Sequence, residues 1–360
     1  MNITTEKLSK IFEKIQKVPA SEKIFFVQHL RVMIRSGVSL SGALNVLSEQ
    51  TNNKKFKKVL ADIKAGVEKG NPFSESLKKH DKVFGNLFIS MIQAGEVSGK
   101  LEEVLEQLFI QMKKDHEIKS KVKGAMIYPA VVLFAMVAIG IFMMIFIIPK
   151  LTAVFLEMGT ELPVTTKILI GTSNFMVHNS FLLLLLTIAC ISGFTYTIKT
   201  PKGKYYFDLI LLKTPIFGKI IKKINLARFS RTLSSLLKTD ISITKTLKIT
   251  ADVLGNEIYK KTSSEAAEKV VKGISIAETL KGEPGIFPPV VTEIITVGEE
   301  TGSLDDVLEE MAAFYEEEID QTMKNLPSVI EPVLILILGV GVALMALAII
   351  MPMYSLGDAI

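Results

Sequence analysis

The sequence is poor in the residues that most often carry catalysis or bind metals. Its 360 residues include one cysteine and four histidines. The lone Cys190 can form no intrachain disulfide, and a packed thiol is expected there. The histidines show no metal-ligand spacing, and no Ser–His–Asp or Cys–His arrangement can be inferred; they are His29, His80, His116 and His178. These absences argue against an enzyme, a metal centre and a bound cofactor.

Charge is absent from three long runs of the sequence. They are 129–148, about 180–198 and 332–351. The first and third are long enough to cross a bilayer as a helix, and the second is slightly shorter. Helices in a soluble core seldom stay apolar on every face for such a length. The sequence therefore predicts three membrane-spanning helices, which explain its hydrophobic fraction of 49%.

Lysines and arginines near these runs predict the orientation, because positive loops stay on the cytoplasmic side. Five lysines lie between 113 and 123, before the first run, and a further basic stretch follows the second run, whereas 149–179 holds only Lys150 and Lys167. We expect a cytoplasmic N-terminus and an external C-terminus. The net charge of +5 is then largely a topology signal, and nothing in it indicates binding to nucleic acid.

The predicted spans divide the chain into segments. We expect an N-terminal amphipathic segment at 1–22, cytoplasmic helical domains at 23–124 and 199–328, transmembrane helices at 125–149, 180–198 and 329–352, an external connection at 150–179 and an external tail at 353–360.

The stretch "AGEVSGKLEEVL", from Ala94 to Leu105, resembles a phosphate-binding loop at first sight. Such a loop needs four residues between its glycines and a Ser or Thr after the lysine, and it joins a strand to a helix. Here only three residues separate Gly95 from Gly99, Leu101 follows Lys100, and the preceding residues have a helical pattern. The stretch is not predicted to bind a nucleotide.

A shift of 203 residues superimposes the sequence on itself without a gap. "AGEVSGKLEEVLE" then lies over "VGEETGSLDDVLE", and Gly95, Glu96 and Gly99 correspond to Gly298, Glu299 and Gly302. The same shift also pairs Phe26 with Phe229, Leu44 with Leu247, Pro129 with Pro332 and Pro149 with Pro352. The chain therefore contains two copies of one unit, each a cytoplasmic domain followed by a membrane helix.

The features shared by both copies predict a helix–turn–helix corner. Glycine permits a sharp turn, the hydroxyl of Ser98 or Thr301 can cap free amides, and the paired acids one turn later favour the positive end of the next helix. Apolar residues at helical spacing, and the lack of alternating runs with hairpin turns, indicate a bundle of short helices in each domain. The predicted fold class is an all-α, polytopic membrane protein with two repeated cytoplasmic helical bundles.

The repeat, the spans and several local motifs together resemble the GspF/PilC family, the inner-membrane platform proteins of type II secretion and type IV pilus systems. The motifs include "RSGVSLSGAL", "GNPFSESL", "AGEVSGKL", "YPAVV", "IPKLTAVFLEMGTELPVTTKIL" and "IEPVLILILG". The resemblance covers the chain from about Lys23 onward. It implies no catalytic activity and no cofactor.

The resemblance also implies partners and a location. The expected partners are a hexameric cytoplasmic ATPase, pilins or pseudopilins, other inner-membrane assembly proteins, lipid and further copies of the chain. The expected location is the bacterial inner membrane, with several spans. The sequence leaves open whether the system is a pilus, a secretion system or a DNA-uptake pseudopilus. A small-solute transporter or channel subunit is the alternative, although such proteins usually carry ionisable groups inside their spans.

Several single residues are candidates for structural roles or partner contacts. Glu96 and Glu299 are expected to accept hydrogen bonds from amides or to pair with a basic neighbour, while a partner or cation contact stays open. Glu331, beside Pro332 at the membrane edge, is expected to end the span as an interfacial charge, or to meet the charged end of an arriving pilin. Pro129 and Pro332 are expected at the start of their spans.

The two copies differ in charge after the corner. The first copy continues as a basic segment and the second as an acidic one. We hypothesise that these faces meet different neighbours, since charge complementarity selects partners. The basic face is represented by Lys113, Lys114 and Lys119, and the acidic face by Glu316, Glu317 and Glu318.

Overall fold

The computed structural model describes residues 18–157, 163–239 and 241–357 of the chain. Over these ranges the chain forms helices and connecting turns and contains no strand, which confirms the predicted all-α class. Residues 1–17 of the predicted N-terminal segment and 358–360 of the predicted tail lie outside the described residues.

The first repeat consists of short helices that lead into one long helix. The helices are α1 (Ala20–Arg35), α2 (Leu40–Gln50), α3 (Lys54–Glu68), α4 (Phe73–Lys78), α5 (Asp81–Phe84), α6 (Asn86–Ser98) and α7 (Leu101–Phe142). A π-helical turn (Met143–Ile147) follows α7 and leads into α8 (Ile148–Glu157).

The connecting segment and the second repeat are also helical. Their helices are α9 (Val164–His178), α10 (Ser180–Lys199), α11 (Pro201–Lys213), α12 (Phe217–Leu237), α13 (Ile243–Val253), α14 (Glu257–Val271), α15 (Ile276–Lys281), α16 (Pro289–Thr301) and α17 (Leu304–Gly357).

The 203-residue repeat is reproduced in the helix bounds themselves. Helices α2, α3, α4 and α6 shifted by 203 residues coincide at both ends with α13, α14, α15 and α16, and α7 and α17 begin at equivalent leucines. The caps repeat too: Asn53 accepts a hydrogen bond from an amide in the first turn of α3, and Asn256 does so in α14. Equal caps fix equal helix starts, because each satisfies an amide that has no partner within its helix.

The aromatic core is built at equivalent positions in both repeats. Phe26 and Phe56 pack edge to face with ring centroids 5.7 Å apart. In the second repeat Phe229 and Tyr259 both pack against Phe287, at 5.1 and 5.3 Å. Burial raises the pKa of Tyr259, and its hydroxyl donates to the Ile286 carbonyl at 2.7 Å. The second repeat thus accommodates one extra hydroxyl by giving it a buried acceptor.

Residue contacts divide the chain into two compact units. The first contains the described parts of Met1–Ser120 together with Asp208–Asp320, and the second contains Lys121–Phe207 and the described part of Gln321–Ile360. In the first unit the two repeats share buried contacts: Leu236, Ile241 and Ile249 of the second repeat belong to the same buried cluster as the core of the first. The two cytoplasmic domains predicted from sequence therefore pack together as one body.

The second unit holds the apolar parts of the chain. Three helical stretches are long and apolar enough to cross a membrane, Leu101–Val154, Ser180–Lys199 and Leu304–Ile350, which confirms the three predicted spans. Their most apolar windows are almost wholly exposed, as expected of surfaces that face lipid or other membrane helices. Cys190 lies exposed on α10, so the expected packed thiol is wrong, because α10 has no buried residue.

Most of the described part of the predicted external connection is helical. Helix α9 is joined to two apolar helices through hydroxyl groups: Thr166 donates to the Ala348 carbonyl at 2.7 Å, and Ser173 donates to the Met144 carbonyl at 2.5 Å. Met144 lies in the π-helical turn, where the backbone hydrogen-bond ladder is altered. These bonds fix α9 against the apolar helices within the second unit.

Candidate functional site

The corner motif joins two helices in each repeat. Helix α6 ends at Ser98, Gly99 has a φ of 71°, and α7 begins at Leu101. In the second repeat Gly302 has a φ of 72° between α16 and α17. This left-handed conformation is the usual helix end at which glycine carries no steric penalty. A phosphate loop would require a strand before it, and the corner has a helix there.

The hydroxyls at the corner act differently from the expectation. Ser98 donates to the Ala94 carbonyl at 2.8 Å, and Thr301 donates to the Val297 carbonyl at 2.7 Å. Both therefore satisfy carbonyls one turn earlier in the same helix, and the expectation that they cap free amides is wrong. This is the common bond of a serine or threonine hydroxyl to the carbonyl four residues earlier in its own helix.

Gly95 and Gly298 lie inside helices, where they permit close packing between helices and do not form the turn. A Cβ atom on Gly95 would lie 2.9 Å from Val104 Cγ2. On Gly298 it would lie 2.5 Å from Val307 Cγ2 and 3.0 Å from the Leu304 Cα. The absence of a side chain thus lets the two helices of the corner approach each other, and Gly99 and Gly302 alone make the turn.

Glu96 and Glu299 each hold the start of another helix. In the first repeat the two carboxylate oxygens of Glu96 accept hydrogen bonds from the amides of Phe73 and Ser74, the latter at 2.9 Å. In the second repeat those of Glu299 accept from the amides of Ile276 and Ala277 at 2.7 and 3.0 Å.

These amides belong to the first turns of α4 and α15, where backbone donors lack intrahelical partners and a negative charge is favourable. Both oxygens of each carboxylate already have donors, so the geometry describes a structural clip. Among the described residues no group of three or more His, Cys, Asp or Glu side chains could hold a metal ion.

The basic and acidic faces after the corner meet each other inside the first unit. Glu316 accepts from Arg231 Nε at 2.9 Å, and its other oxygen lies 3.1 Å from Lys114 Nζ. The side chains of Arg231 and Glu316 are only 9% and 10% exposed. Glu318 pairs with Lys223 at 2.8 Å. Two of the six residues expected to meet outside partners, Lys114 and Glu316, therefore pair with each other between the repeats. The largely buried Arg231–Glu316 pair lies within the second repeat.

The remaining residues of these faces are more exposed. Lys113 lies over the Phe109 ring, 5.9 Å from its centroid. Lys119 pairs with Asp115 at 2.5 Å one turn away, and Glu317 is exposed. Sequence reasoning did not find Arg231, the buried partner of Glu316 in the second repeat, because nothing local marks it among the many basic residues of its segment.

The residues at the predicted membrane edges lie within continuous helices. Pro129 is inside α7, and Pro332 is inside α17, far from the helix starts at Leu101 and Leu304. The expectation that these prolines are early helix residues is wrong, because each helix already runs through the preceding residues. Glu331 is exposed.

Comparison with known proteins identifies the family. The sequence model described as "Type II secretion system (T2SS), protein F" matches residues 26–149 and 229–352. The chain belongs to this type II secretion system protein F family.

Three relatives are similar over more than four fifths of their own lengths. The chain is 35% identical to "Type IV pilus assembly protein PilC" of Thermus thermophilus over 94% of the chain and 85% of the relative. It is 34% identical to the PilC protein of Myxococcus xanthus, covering 95% and 82%. It is 31% identical to "Type II secretion system protein F" of Aeromonas hydrophila, covering 100% and 94%.

The two regions matched by the protein F family model are the two repeats. They begin at the core rings Phe26 and Phe229 and end at Pro149 and Pro352. Each region includes a corner, a carboxylate clip and an apolar helix. The repeated unit of this family member is therefore a helical bundle joined to a span.

Proposed function

We propose that this protein is an inner-membrane platform that couples a cytoplasmic motor ATPase to the assembly of pilin or pseudopilin filaments. The observation that carries the proposal is the match of both repeats to the type II secretion system protein F family. Relatives named for type IV pilus assembly and for type II secretion support it. The three apolar helices support a location in the membrane.

The coupling role is supported by how the repeats are joined. Within the first unit the repeats share a buried apolar cluster and the ion pair between Lys114 of the first repeat and Glu316 of the second. A body of this kind responds as a whole to a force applied at one point, because close-packed interiors deform little. Helices α7 and α17 each begin in the first unit and continue without interruption into an apolar stretch. We infer that a push from the motor passes to the membrane helices through these two.

In this proposal the chain has no catalytic activity, and the motor hydrolyses the ATP. Two observations support this. Lys100 lies between two helices, and the residue after it is neither Ser nor Thr. The equivalent position in the second repeat is Ser303, so the lysine is not part of the repeated design. We further propose that the lysines of the basic face and the exposed Glu317 contact the motor, lipid or assembly proteins. In the same proposal the N-terminus is cytoplasmic and the C-terminus external.

The family includes proteins of both systems. The two relatives named for pilus assembly reach 35% and 34% identity, against 31% for the secretion relative. Pilus assembly is therefore the form of the function that we test first. A solute transporter would use charged groups or histidine inside its spans, and the three apolar runs contain no Asp, Glu, Lys, Arg or His.

A deletion strain tests the proposal. Without the gene, we expect surface filaments to disappear while the cellular amounts of motor ATPase and pilin stay unchanged. The wild-type gene should restore filaments, and so should Lys100→Ala, which removes the one lysine that suggested a nucleotide site. Filament numbers at the wild-type level in the deletion strain would refute the proposed function. Loss of filaments with a stable Lys100→Ala protein would refute the non-catalytic part of it.

A further inference from the structure

The contact between the two repeats is one-sided. The second repeat contributes its docking face, which we define as Arg228, Thr232, Leu236, Ile241 and Ile249. The first repeat contributes its receiving face, defined as Asn86, Ala94, Gln111 and Asp115.

Polar and apolar contacts join these two faces. Gln111 donates to Thr232 at 3.1 Å, and Arg228 lies 2.8 Å from Asp115. Leu236, Ile241 and Ile249 are buried in the cluster that contains the core of the first repeat.

Among the described residues, the docking face of the first repeat is left largely open, although Met33 packs partly buried against the cluster. The 203-residue shift places Phe25, His29, Met33, Val38 and Val46 at its positions. Val38 and Val46 are 41% and 37% exposed, whereas their counterparts Ile241 and Ile249 are 7% and 6% exposed.

The receiving face of the second repeat is also left largely open by the part of the chain that the structure describes, although Glu318 pairs with Lys223 of the same repeat. Its positions are occupied by Pro289, Val297, Phe314 and Glu318. Phe314 is 58% exposed, whereas its counterpart Gln111 is 4% exposed. Val297 is also exposed, while its counterpart Ala94 packs against the buried cluster. Each repeat therefore presents one face that the other repeat uses for contact and that the described residues leave largely open.

The two open faces carry more apolar side chains than the docking and receiving faces that contact each other within the chain. The hydrogen-bonded pair Thr232 and Gln111 corresponds to His29 and Phe314, and Arg228 corresponds to Phe25. The Phe25 and His29 rings already lie together, with centroids 3.9 Å apart. Aromatic side chains are enriched in the buried centres of protein interfaces, and contiguous exposed apolar residues mark such interfaces.

We propose that a second copy of this chain covers these faces. The docking face on the first repeat of one copy packs on the receiving face on the second repeat of the other copy. The contact between two chains then repeats the contact that the two repeats make within each chain. Along the assembly, first and second repeats alternate. Such a head-to-tail contact uses two different surfaces, and it closes into a ring or extends according to the rotation between copies. The inference concerns self-association and does not depend on the proposed function.

Cross-linking of the full-length protein in membranes tests the pairing. In a Cys190→Ala background, which removes the only cysteine, the double variant His29→Cys/Phe314→Cys is treated with a short thiol cross-linker. We expect a ladder of covalent multimers. Each single variant should stay monomeric, and a mixture of the two single variants expressed together should yield dimers only. The reference pair Gln111→Cys/Thr232→Cys should cross-link within the chain without an increase in mass.

Two results of this experiment would overturn the proposal. One is the absence of multimers under conditions in which the reference pair cross-links; the other is dimer formation by His29→Cys alone, which would indicate a symmetric contact.

A second measurement uses the mass of the detergent-solubilised protein. Val38→Glu/Val46→Glu should convert the oligomer to a monomer with unchanged helicity, because both side chains are exposed within the chain. Val271→Glu, at a residue that is 69% exposed and outside both faces, should leave the oligomer intact. A monomeric wild type, or an unchanged mass in the double variant, would contradict the proposal. The unchanged mass would instead favour another cover for this face, such as residues 1–17.

Discussion

The substitution Gly298→Val is expected to lower the free energy of unfolding of the first unit by about 3 kcal/mol, at the upper end of the usual range for overpacking. The first atom of the new side chain would lie 2.5 Å from Val307 Cγ2 and 3.0 Å from the backbone of Leu304. A side chain can rotate away, but the backbone at the start of α17 can move only with its helix. Thermal unfolding followed by circular dichroism measures the loss, since the chain has no tryptophan for fluorescence.

Two comparisons make this prediction specific. Gly95→Val should cost less, because its contacts are longer, at 2.9 Å to Val104 Cγ2 and 3.2 Å to Leu101 Cα. Gly124→Ala in α7 meets nothing within 4 Å and should leave stability equal or slightly higher, since alanine favours helix by up to about 1 kcal/mol over glycine. Equal losses at all three sites would mean that close packing of the corner is not the cause.

Glu316→Lys is expected to destabilise the first unit by about 3 to 5 kcal/mol, the usual loss when one partner of a buried ion pair is removed. The new ammonium group would lie beside Arg231 and Lys114, which both contact Glu316 in the wild type. Three cations would then share a site in which Arg231 and residue 316 are about nine-tenths buried. The same thermal measurement should show a large fall in the unfolding temperature.

Neighbouring variants separate the buried pair from surface charge. Glu316→Gln should have a smaller effect in the same direction, because it removes the negative charge but keeps a hydrogen-bond acceptor. Glu317→Lys, one residue away and exposed, should change stability by about 0.5 kcal/mol or less. If Glu316→Lys and Glu317→Lys behave alike, the ion pairs that Glu316 makes with Arg231 and Lys114 contribute nothing to the fold. Loss of filaments in a Glu316 variant reports on folding before it reports on a partner, so Glu317 and Lys113 are better probes of outside contacts.

The sequence was sufficient to predict the repeated architecture. Helical spacing of apolar residues and the ungapped 203-residue shift predict two equivalent bundles, and the helix bounds of α2 and α13 coincide under that shift. Uncharged runs of about twenty residues predict the spans as reliably as the repeat predicts the bundles, because few soluble folds can accommodate such runs. Gly99 and Gly302 were also predictable, since a left-handed helix end favours glycine.

Contacts between distant residues were not predictable from one sequence. Glu96 reaches amides 22 and 23 residues before it, and no local pattern specifies which free helix end a carboxylate will meet. The pairing of Lys114 with Glu316 joins opposite charges from the two repeats, which looked from sequence like surfaces for different partners. Helix α9 lies in the segment predicted as an external connection, and its hydroxyl bonds to two other helices appear only in three dimensions.

We propose that both repeats form a single cytoplasmic body carried by three spans, and cysteine labelling of the membrane protein distinguishes this topology from the alternatives. Lys69→Cys and Lys272→Cys are equivalent exposed positions that follow α3 and α14, and a third variant adds a cysteine after Ile360, each in a Cys190→Ala background. With a membrane-impermeant maleimide on intact spheroplasts, we predict labelling of the added C-terminal cysteine alone, and labelling of the other two only after the membrane is permeabilised. Labelling of Lys272→Cys but not Lys69→Cys in intact spheroplasts would place the repeats on opposite sides of the membrane and contradict the account.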